Sequence, residues 1–260
     1  MLDWSRIKTI FILTFLVLDL FLAIQYYQKR SNYQLDVIAE STIEDQLKAN
    51  DITYVPLPKE SLKETYIVGN SKVFTDKIIT NKKGQNIEIY KDVIQSRLKD
   101  VVKIPDKNPI FFLENFVKEY VWNGSSYGYC KTDVSTKTYY FCQIYKDRLI
   151  YNIDSSVVEI KYNENNEIVS YRQRYIENLK DMVDKEDVQE VLPAIKAIEN
   201  LYVKDELEPD DKVTKVDFGY YTLIPLSTGV KVIAPAWHLV VNDEQDYFVN
   251  AIEGQVNKIE

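Results

Sequence analysis

From Ile7 to Tyr27 the chain is apolar at almost every position, interrupted by Lys8, Thr9, Thr14, Asp19 and Gln25. At about 1.5 Å rise per residue this run matches the roughly 30 Å hydrocarbon core of a bilayer, so the pattern predicts one membrane-spanning helix. Trp4 before it and Tyr26 and Tyr27 at its end fall at headgroup level, and Lys8 is near enough to the end to snorkel. The period then changes. Leu35, Ile38, Ala39, Ile43 and Leu47 recur at helical spacing, with Asn50 as a left-handed stop. DITYVPLP reads as a strand, and IVGNSKVF, DKIIT and NIEIY as short strands, with Lys82-Lys83-Gly84-Gln85 as a hairpin turn. KDVIQSRLKDVVKIP fits either helix or strand. A second helix is marked by Asn108 as N-cap and Pro109 at its first position. Its apolar face is Phe112, Leu113, Phe116, Val117, Tyr120 and Val121, and Asn123-Gly124 is its stop.

KTYYFCQIYKD, RLIYNID, SVVEIKYN and EIVSYRQRYI come next as aromatic and β-branched strands split by Asp, Ser and Asn turns, as in antiparallel ribbons. From Asp184, Val188, Val191, Leu192, Ile195, Ile198, Leu201 and Tyr202 share a helical face, which Pro193 either kinks or starts. KDELEPDDK at 204–212 reads as a loop. KVDFGYYTLI, VKVIAPAWHLVV, DYFVNAI and QVNKI are strands again, with Glu253-Gly254 in the last turn. Helix followed by antiparallel strands thus occurs twice, and NENNEIV and AIEGQV make equivalent polar turns into a last strand. The expectation is an α+β fold, an N-terminal single transmembrane helix followed by two helix-on-antiparallel-sheet subdomains. Residues 1–30 would be the anchor, 31–180 the first subdomain and 181–260 the second.

Composition supports a folded core rather than a disordered chain: 45% of residues are apolar and 28% charged, with 20 Tyr and 10 Phe. The net charge of −8, with Lys and Arg scattered among Asp and Glu, argues against nucleic acid as a partner. Within the apolar run, Asp19 costs roughly 2.5–3.5 kcal/mol at mid-membrane on insertion scales. Two readings are open: a tolerated residue, protonated or locally hydrated, or a contact to another helix. In the second, the stripe Ile12, Phe15, Leu16, Asp19, Leu22, Ala23 and Tyr26 faces a transmembrane partner that donates a hydrogen bond to Asp19. A cleaved signal peptide competes, but Ala23-Ile24-Gln25-Tyr26-Tyr27 offers no small-x-small site. Arg6 and Lys8 on one side tie with Lys29 and Arg30 on the other, so charge leaves the orientation open. A signal anchor of this kind usually exports the chain on its C-terminal side, which makes residues 31–260 extracytoplasmic.

Little catalytic chemistry is visible. If Asp133 to Lys137 is a hairpin turn centred near Thr136, Cys130 and Cys142 fall opposite each other; a disulfide and two unpaired cysteines in a sheet fit equally. With no histidine near, they do not make a zinc site. His238, the single histidine, stands in PAWHLVV with no G-x-S-x-G in the chain, and an alternating strand explains it without catalysis. HExxH, P-loop and GxGxxG motifs are missing, and the acidic run at 204–212 lacks the glycine and closing glutamate of an EF-hand loop. The expectation is no catalytic residue, no metal and no cofactor, although 40 Asp and Glu leave a converging carboxylate pair open.

Asp3-Trp4-Ser5, Lys8-Thr9-Ile10-Phe11 and the stretch Phe15 to Phe21 containing Asp19 resemble the N-terminus of the YycI (WalI) family, and PAWHLVVNDEQDYFVNAIEGQV is similar to its closing hairpin. Leu2, an extra residue before Asp3, is a minor departure. These are accessory membrane proteins of the YycG/YycF (WalK/WalR) two-component system of low-GC Gram-positive bacteria, which controls cell-wall metabolism. The resemblance implies a single-pass protein in the cell membrane with a cytoplasmic N-terminus. It also implies an exported α+β domain similar to part of the companion protein YycH (WalH), and a complex with YycH that acts on the sensor kinase YycG (WalK) through transmembrane helices. It carries no catalytic residues. Beside this non-enzymatic regulator stand two other classes: an extracytoplasmic sensor binding a cell-wall fragment or peptide in a tyrosine-lined groove, and a wall-processing enzyme.

Overall fold

The computed structural model describes residues 4, 8, 11–23, 42–58, 62–75, 84–151, 155–182, 188–222 and 230–259. They belong to two compact units, residues 1–49 and 50–260.

In the first unit, residues 11–23 are helical (α1) and exposed at every position. The Phe11 and Phe15 rings stack at 6.3 Å, and Lys8 Nζ lies 5.7 Å from the centre of the Trp4 ring. Among the described residues no helix is long and apolar enough to cross a membrane. Residues 7, 9, 10 and 24–27 of the expected span lie outside the described residues. The helix expected over 35–47 is corrected at its start: α2 is Ile43–Ala49. Thr42 caps it, its Oγ1 accepting the Asp45 N–H at 3.3 Å and donating to the Asp45 carboxylate at 3.1 Å. Residues 35–41 lie outside the described residues. The left-handed residue past the helix is Asp51, at φ 56°, in place of Asn50.

Among its described residues, the second unit holds sixteen strands, fourteen of them in one sheet. β1 (Thr53–Tyr54), β2 (Lys63–Glu64) and β3 (Ile67–Ser71) precede the hairpin of β4 (Gln85–Tyr90) and β5 (Val93–Lys103). The expected strand DKIIT lies outside the described residues. β5 resolves the segment that fitted either structure: Ile94, Ser96 and Leu98 are buried while Gln95, Arg97 and Lys99 are exposed, a period of two. Helix α3 (Pro109–Tyr120) begins at the expected proline, but the Asn108 side chain makes no cap hydrogen bond; its backbone turns left-handed instead, at φ 51°. The helix ends at Tyr120, ahead of Asn123-Gly124, which opens a 3-10 turn, Gly124–Ser126.

β6 (Tyr127–Asp133), β7 (Thr138–Tyr145), β8 (Arg148–Tyr151), β9 (Val157–Tyr162), β10 (Glu167–Gln173) and β11 (Ile176–Asp181) come after it. Leu113, Phe116 and Val117 of α3 form one core with Ile94, Leu98, Phe141, Val158, Ile160, Ile168 and Tyr171. After β12 (Gln189–Glu190), α4 (Ala194–Val203) starts directly past Pro193, which settles the role of that proline. It buries Ala194, Ala197, Ile198 and Leu201. β13 (Lys212–Tyr221), β14 (Val230–Val241), β15 (Gln245–Asn250) and β16 (Val256–Ile259) complete the unit.

Along the sheet the order is β11-β3-β14-β13-β8-β7-β9-β10-β5-β4. The α+β expectation holds, while the purely antiparallel sheet is corrected to a mixed one: β1 and β8 both run parallel to β13. Among the described residues β8 pairs with β13 at two positions, Ile150 opposite Tyr220 and Tyr151 opposite Tyr221. Residue 180 lies inside β11, and strands from either side of it are hydrogen-bonded, β3 to β14 and β8 to β13.

Candidate functional site

The residues singled out from the sequence fall in three places. Ile12, Phe15, Leu16, Asp19, Leu22 and Ala23 lie on α1, and Tyr26 lies outside the described residues. Phe15, Leu16 and Leu22 keep 58%, 60% and 54% of their accessible surface, but so do residues off the stripe, Val17 at 58% and Leu20 at 59%. The helix is therefore apolar and exposed on all sides, and Asp19 is the one ionisable residue among 11–23. A helix of this kind matches apolar surroundings rather than water.

The second place is the disulfide. Cys130 and Cys142 are bonded, with their Cα atoms 5.6 Å apart, which closes the choice left open by spacing. Their register differs from a plain hairpin. Cys142 stands opposite Gly128, and Cys130 sits in a bulge between the pairs Tyr129–Phe141 and Lys131–Tyr140. Asp133 pairs with Thr138 across the turn, where the Asp133 carboxylate accepts from Ser135 Oγ at 2.6 Å and from the Thr136 N–H at 3.0 Å.

Beside the disulfide lies the third place, around His238. Strand alternation turns Trp237 to one face, where its Nε1–H donates to the Leu192 carbonyl at 2.8 Å, and His238 to the other. Across the strands His238 has Asp217 on β13 and Phe248 on β15. Its ring stacks on Phe248 at 4.6 Å and tilts against Tyr151 at 4.6 Å. Nε2 is 2.6 Å from Asp246 Oδ1, and Lys131 Nζ is 3.2 Å from Asp246 Oδ2. The disulfide packs into this place: Cys142, Tyr151 and Phe248 form a buried cluster that Cys130, Leu149, Tyr221 and Ile259 close.

Burial works against the charge on Asp246, but the hydrogen bond and charge of His238, with Lys131 beyond them, outweigh it and hold its carboxyl below the usual range. Asp246 is thus an ionised acceptor between two donors. The His238 side chain is only 8% exposed, and its Nδ1 has no hydrogen-bond partner among the described residues. Burial pushes the neighbouring Tyr151 phenol well above its ordinary value, so it stays neutral. A histidine oriented by a carboxylate is half of an acid–base device. The other half, a nucleophile, is not supplied by the nearby sulfurs, which are held in the disulfide. Among the described residues no three His, Cys, Asp or Glu side chains gather to hold a metal.

Hydrophobic periodicity does not reveal the partners of His238. Hairpin geometry reveals one of them, because Asp246 stands opposite Val240, two residues further along β14, and so lies diagonal to His238 on the same face. Lys131 carries no such signal. Of the tyrosines that could line a groove, Tyr127, Tyr171, Tyr220 and Tyr247 are buried in the core. A depression of about 360 Å³ by the end of α4 is lined by Asn50, Ile52, Leu207 and Pro209, with Tyr202 as its one aromatic residue.

The described residues thus present an α+β unit with a histidine–carboxylate–lysine cluster packed into it, and an exposed apolar helix. The family model described as YycI protein matches residues 32–252, and the chain belongs to that family. Membership makes it an accessory regulator of two-component signalling. Three solved structures are similar at low identity. An uncharacterized protein from Eubacterium rectale is 12% identical, with 80% of this chain and 89% of that one covered and a TM-score of 0.37. YycH from Bacillus subtilis is 13% identical, covering 78% and 53%, at a TM-score of 0.41. The Bacillus megaterium YpeB C-terminal domain is 14% identical, covering 86% and 98%, at 0.35. No curated protein matches the chain.

Proposed function

We propose that this protein is a non-enzymatic regulator of the WalK/WalR (YycG/YycF) two-component system that controls cell-wall metabolism. Residues 7–27 anchor it in the cell membrane with the N-terminus in the cytoplasm. The α+β unit lies outside and binds YycH, and the pair acts on the sensor kinase. The family match over residues 32–252 is the observation that carries this reading. α1 supports the anchor: a helix whose Phe, Leu, Ile and Val side chains are all about half exposed or more gains most from a hydrocarbon environment. In that environment Asp19 is the expensive residue, and a hydrogen bond from a kinase helix would offset its cost.

Co-purification from membranes tests the division of labour. The full-length protein should retain both YycH and the kinase. Exchange of residues 1–30 for an unrelated anchor should lose the kinase and keep YycH. Retention of the kinase by the exchanged protein would remove the transmembrane contact from the proposal, and failure of the native protein to retain either would remove the regulator.

A further inference from the structure

Cys130 is the extra residue of the β6 bulge, and the bulge decides which way Lys131 points. Phe141 and Tyr139 belong to the core under α3, so Tyr140, between them, takes the other face. Lys131 stands opposite Tyr140 and shares that face, where its ammonium reaches Asp246. In a regular ladder continuing from Tyr129–Phe141, Cys130 would pair with Tyr140 and Lys131 with Tyr139. Lys131 would then lie on the α3 face, away from Asp246. One inserted residue thus re-aims one charge, the usual effect of a bulge.

Sequence alone does not hold an inserted residue in place; here a covalent bond does. Cys142 stands opposite Gly128, on the far side of the bulge, and its bond to Cys130 prevents β6 from sliding along β7 between residues 128 and 131. The same bond packs against Tyr151 and Phe248, the two rings that enclose His238. We propose that the Cys130–Cys142 disulfide is a redox-sensitive lock on this bulge: oxidised, it seats Lys131 on Asp246 beside His238, and reduced, it lets β6 slip by one residue and withdraws Lys131. A dithiol reductant supplies two electrons and two protons. Its thiolate attacks one sulfur, the Cys130–Cys142 bond breaks, the dithiol closes into its own disulfide, and both cysteines leave as thiols. Asp246 then keeps His238 as a partner and loses its cation, and β6 loses its ion pair to β15.

The test is strand register by NMR in the full-length chain in detergent micelles, with lysine, tyrosine, histidine and phenylalanine labelled, before and after dithiothreitol. Cross-strand contacts between Lys131 and Tyr140 should give way to contacts between Lys131 and Tyr139, while those between His238 and Phe248 persist. The double variant Cys130→Ser, Cys142→Ser should show the reduced pattern without reductant. Oxidised Asp246→Asn should keep Lys131 opposite Tyr140, because the disulfide and not the ion pair sets the register. The proposal is overturned if reduction leaves Lys131 opposite Tyr140, or if Asp246→Asn alone slips the strand. Loss of the His238–Phe248 contact together with the Lys131 contacts also overturns it, since the bond is then a stability staple.

Discussion

Gly219→Ala probes a close approach of backbone and ring within the sheet. A Cβ at Gly219 would stand 2.6 Å from the Leu149 carbonyl oxygen and 2.7 Å from Cε2 of the Tyr151 ring. The first neighbour is backbone and the second is a ring packed against His238 and Phe248, so neither yields cheaply. Among the described residues β8 pairs with β13 at two positions, directly beyond this glycine. Overpacking at a fixed site costs about 1–3 kcal/mol. For a unit of this size each kcal/mol lowers Tm by about 2–4 °C, so the variant should melt roughly 2–12 °C below the parent.

Circular dichroism of the full-length protein in detergent is the assay, with Gly84→Ala as its control. At Gly84 nothing lies within 4 Å of a Cβ, but φ is +82°, so alanine there meets strain without collision. Its cost should be about 1 kcal/mol, by loss of glycine's left-handed freedom. Gly219→Ala should be the more damaging of the two. A Gly219→Ala midpoint equal to the parent's would mean that β8 and β13 are not held as close as the structure has them, and the argument for the seam would fail.

Asp246, whose carboxyl titrates below its ordinary range, contributes stability that is present above the unfolded value near about 3.9 and lost as pH falls through the folded one. The Tm gap between the parent and Asp246→Asn should therefore be widest near neutral pH and shrink in acid; a gap independent of pH would refute this. Burial pushes the Tyr171 phenol up to about 12, so its contribution is intact below about pH 10 and lost as pH rises toward the folded value. Tyrosinate absorbance should rise in step with loss of ellipticity, and full ionisation of the folded protein would contradict it. If α1 makes the proposed kinase contact through Asp19, Asp19→Leu should abolish kinase co-purification. Adding Leu16→Asp, on the same face one turn away, should restore part of it, whereas adding Leu20→Asp, about 100° around the helix, should not. Equal rescue by both would show that Asp19 is tolerated rather than aimed.

Local signals carry the elements whose causes are local. Pro109 and the spacing Leu113-Phe116-Val117 locate α3, and Pro193 locates the start of α4 once its two roles are separated. Thr42 and Asp45 form a helix-start signature in the sequence, which apolar spacing running back to Leu35 masks. β5 cannot be decided locally, because its period of two becomes visible only with β4 and β10 paired on its two sides. β8 is legible as a strand but not as a parallel neighbour of β13, since RLIY reads as the second arm of a hairpin and its partner lies some seventy residues on.

The candidate site divides along the same line. His238 and Asp246 are linked by a short turn, so hairpin geometry alone can join them. Lys131 enters only through a bulge, and a bulge is invisible to periodicity because the residues around it keep their types. α1 presents the opposite case. Its apolar residues surround the helix evenly, so they single out no face. Direction comes from the single carboxylate, and the whole stripe from Ile12 to Ala23 inherits its facing from Asp19. Moving that carboxylate around the helix therefore separates a specific helix contact from a general affinity for lipid.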